Sequence, residues 1–107
     1  MNFNINTDIN QKNLNQAKVF FENGLENLLK SNYSEAEKYF LKSLEIIPNR
    51  ISTISNLIQI YFLKKELNKL NDFLNHFLHL QNDQEIQFGY ACLNHLKGEY
   101  DLSIILC

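Results

Sequence analysis

The chain has few of the residues that punctuate β-structure: three glycines and a single proline in 107 residues, and no tryptophan. Hairpins and strand ends draw on Gly and Pro for their turn geometries, so this shortage argues against a sandwich or barrel and favours helices. Cys92 and Cys107 stand apart with no C-x-x-C pattern, which indicates neither a zinc site nor a disulfide framework. Two reduced thiols suit a cytoplasmic protein. An excess of charge of one sign is also missing. The net charge is −2, and residues 17–50 and 51–83 each balance their basic and acidic side chains. Lys97 against Glu85, Glu99 and Asp101 accounts for the remainder. No segment forms the phosphate-neutralising patch that nucleic-acid affinity rests on, so a nucleic-acid partner is not expected. Uninterrupted apolar stretches run for only a few residues, far short of the ~20 that span a bilayer, and no membrane insertion is expected. The opening Met-Asn-Phe-Asn-Ile-Asn lacks a basic region followed by an apolar run, so it does not read as a secretory signal. Cytoplasm is the default location.

Catalytic signatures are absent as well. The sequence has no Gly-rich phosphate loop, H-E-x-x-H or G-x-S-x-G. His76 and His79 share a helix face at i,i+3, but no third ligand has suitable spacing, so they read as a solvated polar face rather than a metal site. His95 near Cys92 suggests a Cys/His dyad only if an orienting partner and an oxyanion hole accompany it, and neither is visible. No catalytic residue, cofactor or metal is assigned.

Residues 1 to about 12 are polar, Asn-rich and expected to be loose; helical periodicity fills the chain from about residue 13, and 1–16 is the lead-in to a first unit that opens at Ala17. Ala17, Phe20, Phe21, Gly24, Leu25, Leu28 and Leu29 recur at steps of three and four. Ser31-Asn32 interrupts them, and Ser34 with Glu37 offers a capping box for the next helix. That helix carries Ala36, Tyr39, Phe40, Ser43, Leu44 and Ile47. Pro48 ends it and biases Ile47 away from helical geometry. The plan then repeats. Ile54, Leu57, Ile58, Tyr61 and Phe62 precede a break near Lys64-Lys65, and Leu67, Leu70, Phe73, Leu74, Phe77 and Leu78 follow it. Asn82-Asp83 offers a cap for a third stretch with Phe88, Tyr90, Ala91 and Leu93, for which Gly98 reads as the C-terminal stop.

Anchor positions recur with a nearly constant step. Tyr33, Leu67 and Tyr100 lie 34 and 33 residues apart, as do Ala36, Leu70 and Ser103, and Gly24, Ile58 and Ala91. Such self-similarity marks stacked units that bury their apolar faces against neighbours. Residues 17–50 read Phe20-x2-Asn23-Gly24-x2-Asn27, then Ala36-x3-Phe40, then Pro48. Residues 51–83 read Ile54-x2-Leu57-Ile58-x2-Tyr61, then Leu70-x3-Leu74. Residues 84–107 read Gln87-x2-Tyr90-Ala91-x2-Asn94, then Ser103-x3-Cys107.

These units resemble the tetratricopeptide repeat, whose pattern is W-x2-L-G-x2-Y, A-x3-F and a closing P. Asn23 and Asn27 depart from it, and the second unit lacks the proline. The resemblance implies an all-α, right-handed superhelical solenoid with two complete helix–turn–helix repeats, 17–50 and 51–83, and an incomplete third, 84–107. It also implies a protein–protein interaction scaffold that holds a protein or peptide in a concave groove lined by first helices. Mapped onto this chain, the groove positions are Lys18, Phe21, Leu25 and Leu28, then Ser52, Ser55, Gln59 and Phe62, then Glu85, Phe88, Cys92 and His95. Asn56 and Gln59 are expected to hold peptide backbone, and Phe21, Phe62 and Phe88 to anchor apolar groups. The family's terminal-carboxylate clamp is not expected, because Phe21, Leu25, Glu85 and Gly89 stand where its cations and polar groups would. An alternative implied by the resemblance is the N-terminal portion of a larger bacterial enzyme, such as a repeat-linked glycosyltransferase or sulfotransferase. The apolar run Ile104-Ile105-Leu106 prompts that reading, or self-association through the C-terminal helix, since terminal repeats need a polar outer face.

Overall fold

A computed structural model describes the backbone of residues 3–106 and the side chains of residues 11–99. The chain is all-helical, with no strand among the described residues. In order, α1 spans Phe3–Leu29, α2 Tyr33–Ile46, α3 Ile51–Leu63 and α4 Leu67–Asn75; a 3-10 turn at Leu78–Leu80 leads to α5, Gln84–Leu106. The contacts divide the chain into two compact units, Met1–Ile54 and Ser55–Cys107, with the boundary inside α3.

In the first unit, α1 and α2 form a hairpin closed by a short left-handed turn. Ser31 adopts φ 60°. The Asn32 amide donates to the Asn27 carbonyl at 2.8 Å, and the Ser31 amide to Leu28 at 3.0 Å. This 6→1 and 5→2 pair is the Schellman motif, which satisfies carbonyls that the helix end would leave unpaired. Gly24 lets the two helices close. A Cβ built there would stand 2.7–2.9 Å from three Phe40 ring atoms. Ala17, Ala36 and Phe40 are fully buried, and the buried Ser43 hydroxyl donates to the Ala17 carbonyl at 2.9 Å. A small hydroxyl thus enters the core without leaving an unsatisfied group.

α2 stops where expected. Ile47 takes φ −124°, ψ 88°, the extended geometry imposed by the following Pro48. Its start differs from expectation: the helix begins at Tyr33 with Asn32 as N-cap, so Ser34 lies inside the first turn and cannot cap it. Two further expectations change. α1 begins at Phe3, so the polar lead-in is helical in backbone rather than loose. Leu29, placed on the apolar face by its spacing, is 88% exposed. It sits at the last position of α1, where the chain is already leaving for the turn.

The second unit repeats the device. Lys65 has φ 56°, the Glu66 amide donates to Tyr61 at 2.9 Å, and the Lys65 amide to Phe62 at 3.0 Å. Glu66 bonds Lys64 at 2.9 Å and lies 3.4 Å from Lys69. Burial raises its pKa, but the hydrogen bonds and charges of the two lysines outweigh that and hold it below the ordinary value. A depressed carboxylate adds stability above its unfolded pKa, and that part is lost as pH falls through the folded one. Leu70 and Leu74 are fully buried, and Tyr61 packs edge-on against Phe73 at 5.4 Å. α4 closes at Asn75, tightened by i→i−3 bonds from His76 to Phe73 and from Phe77 to Leu74. Phe77 stays buried, whereas Leu78 turns outward at 53% exposure, against its assignment to the stripe.

α5 departs most from the sequence reading. It runs unbroken through Gly98, whose φ is not positive, so the expected stop and the hairpin after it are not formed. Gly98 lies in the helix with nothing within 4 Å of a built Cβ. Gly98→Ala is therefore expected to raise stability by ~0.5–1 kcal/mol through helix propensity alone, measurable as a higher urea midpoint. A loss of stability would mean that Gly98 adopts a turn geometry in solution. Ala91 is exposed, and Gly89 is the buried small residue instead. A Cβ at Gly89 would meet Leu74 Cδ2 at 2.8 Å and Ile58 Cδ1 at 2.9 Å. The anchors Tyr100 and Ser103, the Ile104-Ile105-Leu106 run and Cys107 have side chains outside the described residues.

Candidate functional site

Two faces, one in each unit, carry the side chains assigned to binding. In the first unit Leu14, Lys18, Phe21 and Leu25 follow at steps of four, three and four, which puts them on one side of α1. Together with Ile47 and Arg50 they line an open concavity of ≈ 770 Å³. Phe21 is held at the back by an edge-on contact with Phe40, 5.6 Å between ring centroids. The Arg50 guanidinium lies 4.9 Å from the Phe21 centroid, a stacking distance that holds a planar cation at an apolar wall. Glu22 stands on the rim, 4.0 Å from Lys18. The opposite side of the hairpin is closed differently, with Lys42 over both Phe20 and Tyr39 at 5.6 and 5.8 Å.

In the second unit α3 and α5 run parallel and in register. Ser55 pairs with Glu85, Ile58 faces Gly89, and Phe62 meets His95. Asp83 starts α5 as expected, its carboxylate accepting the Glu85 amide at 2.8 Å. Glu85 is thereby aimed at Ser55, whose hydroxyl donates to it at 3.0 Å. Phe62 and the His95 ring stand 5.8 Å apart. His95 Nε2 lies 3.2 Å from Glu99, which is also 3.6 Å from Lys65. His95 is thus engaged by Glu99 and Phe62 along the exposed side of α5.

The residues assigned from sequence divide into three groups. Phe21 and Leu25 come together in the first concavity, and Ser55, Phe62 and His95 line the α3–α5 seam. Gln59 is exposed, Asn56 is half-buried and engaged, and Phe88 is 61% exposed beside Gln84 and Glu85 in a shallow depression. Cys92 is 6% exposed, and burial pushes its thiol pKa up, which disfavours a thiolate at neutral pH. It packs rather than presents. Leu14, Ile47 and Arg50 were missed. A signal existed for Leu14, since the Lys18–Phe21–Leu25 spacing continues backwards to it. Arg50 lies in the α2–α3 connection, where periodicity carries no information.

Among the described residues no group of three or more His, Cys, Asp or Glu side chains is placed to hold a metal ion. None of the helices there is long and apolar enough to cross a membrane. Comparison with protein-family models, curated proteins and solved structures yields no match to the chain.

Proposed function

We propose that this chain is a protein–protein interaction scaffold of tetratricopeptide type, binding a peptide or protein partner on the exposed faces of its first helices and acting without catalysis of its own. One observation carries the reading. The turn closing α1–α2 and the turn closing α3–α4 share the left-handed conformation, at Ser31 and at Lys65, and the 6→1 bond that follows it, 34 residues apart. Phe40 and Leu74, which fill the cores behind those turns, keep that spacing. A period expressed in both backbone and packing is what a repeated structural unit predicts. Helical repeats present side chains in regular rows, and such rows bind extended or helical segments through a few apolar anchors and amides.

The test combines one residue from each face. Phe21→Ala with Gln59→Ala is expected to weaken capture of the cellular partner by ~10-fold or more, as loss of an interface anchor does, with helical circular dichroism unchanged. Retention of the partner by that double variant would remove these faces from the reading.

A further inference from the structure

The concavity between α1 and the end of α2 combines an apolar wall with a guanidinium that meets no carboxylate among the described residues. Arg50 makes its ring contact with Phe21 and has no carboxylate in ion-pair distance among the described residues. Lys18 adds a second positive charge on the same wall, 4.0 Å from Glu22, the one acidic side chain that lines the concavity among the described residues. Arg50 also immediately precedes α3, whose first turn holds no acidic residue to offset the positive end of the helix dipole. A local positive excess therefore sits on a chain whose net charge is −2. Beneath it lie Leu14, which is 51% exposed, and Phe21, Leu25 and Ile47.

From this, resting on the scaffold reading, we infer that the α1–α2 concavity binds an acidic peptide segment in which an internal Glu or Asp is flanked by aliphatic residues. The side-chain carboxylate takes the Arg50 fork, and the neighbouring aliphatic groups enter between Leu14, Phe21 and Ile47. The stacked Phe21 ring occupies one face of the guanidinium and leaves its N–H edge as the donor, which is the geometry a carboxylate accepts. An internal acid fits better than a chain terminus. An internal acid brings one carboxylate between two aliphatic side chains, which matches a single guanidinium fork set in the apolar wall of Leu14, Phe21 and Ile47.

The experiment is a nitrogen-15 NMR titration of the full chain with four short peptides. One is acetyl-Gly-Leu-Glu-Leu-Gly-amide; the second has Gln for Glu, the third Ser for both Leu, and the fourth is the Gln peptide with a free C-terminal carboxylate. Amide shifts are expected within residues 11–25 and 47–50, with the Glu peptide at least ~10-fold tighter than the Gln and Ser peptides, as a charge-assisted hydrogen bond predicts. Added salt should narrow that ratio. Arg50→Gln should erase the preference with the same circular dichroism and melting temperature, and Arg50→Lys should restore only part of it. Equal binding of the Glu and Gln peptides, shifts centred on the α3–α5 face, or tighter binding of the free-carboxylate peptide would each overturn the inference. Concentration-dependent shifts at these residues without peptide would assign the concavity to a second copy of the chain, and overturn it too. If every peptide fails while the Phe21/Gln59 double variant still loses its cellular partner, the acidic ligand is wrong and the scaffold reading stands.

Discussion

Phe40→Ala should cost ~3–5 kcal/mol, the range for removing a buried aromatic side chain, and should largely unfold the α1–α2 hairpin at moderate urea. The ring is fully buried, stands edge-on to Phe21, and faces the one position in α1 where a side chain has been deleted, Gly24. Leu74→Ala, 34 residues on, should cost ~2–5 kcal/mol in the second unit. Urea melts followed by circular dichroism measure both. A change under ~1 kcal/mol at Phe40 would show that its side chain is not the centre of the first unit.

Gly24→Ala should destabilise despite raising helix propensity. Propensity alone favours alanine over glycine by ~1 kcal/mol within a helix. Against that, the new methyl would stand 2.7–2.9 Å from Cε1, Cδ1 and Cζ of Phe40. A rigid ring in contact with Phe21 has little room to retreat, so overpacking of ~1–3 kcal/mol wins. The prediction sharpens in a double-mutant cycle. With Phe40→Ala already present, the same Gly24→Ala should become stabilising, because the obstacle is gone and the propensity gain remains. Additive single effects would refute the close approach. At Gly89 the opposing atoms are the tips of Leu74 and Ile58, which can shift, so Gly89→Ala should cost less than Gly24→Ala.

The places of the helix breaks were legible, at Ser31-Asn32, Pro48, Lys64-Lys65 and Asp83, whereas the left-handed geometry of two of them was not. Pro48 ends α2 by covalent geometry, and Asp83 caps α5 with a side chain made for it. The left-handed turns, in contrast, fall on Ser31 and Lys65, neither of them the residue that favours positive φ. Gly98, which does favour it, sits inside a helix. Hairpin packing sets those turns, and propensity follows. The same cause explains the third anchor set. Ala91 keeps the arithmetic of the period, but α5 is phased by Asp83 and by the Ile58 and Leu74 side chains, which select Gly89. Of the binding faces, the α1 row was readable from spacing because it lies on one helix. Arg50 was not, since its relation to Phe21 exists only after α2 has brought the chain back.

The paired Schellman turns also bear on how fast the chain reaches its fold. Each joins neighbouring helices through a link of only a few residues, so the entropy of closing that loop is small and is recovered at once by contacts such as Gly24 with Phe40. Partners close in sequence dominate each hairpin, and proteins of low contact order fold in microseconds to milliseconds. Refolding should therefore begin within either hairpin without waiting for the other, and a lesion such as Phe40→Ala should slow one kinetic phase and leave the other unchanged.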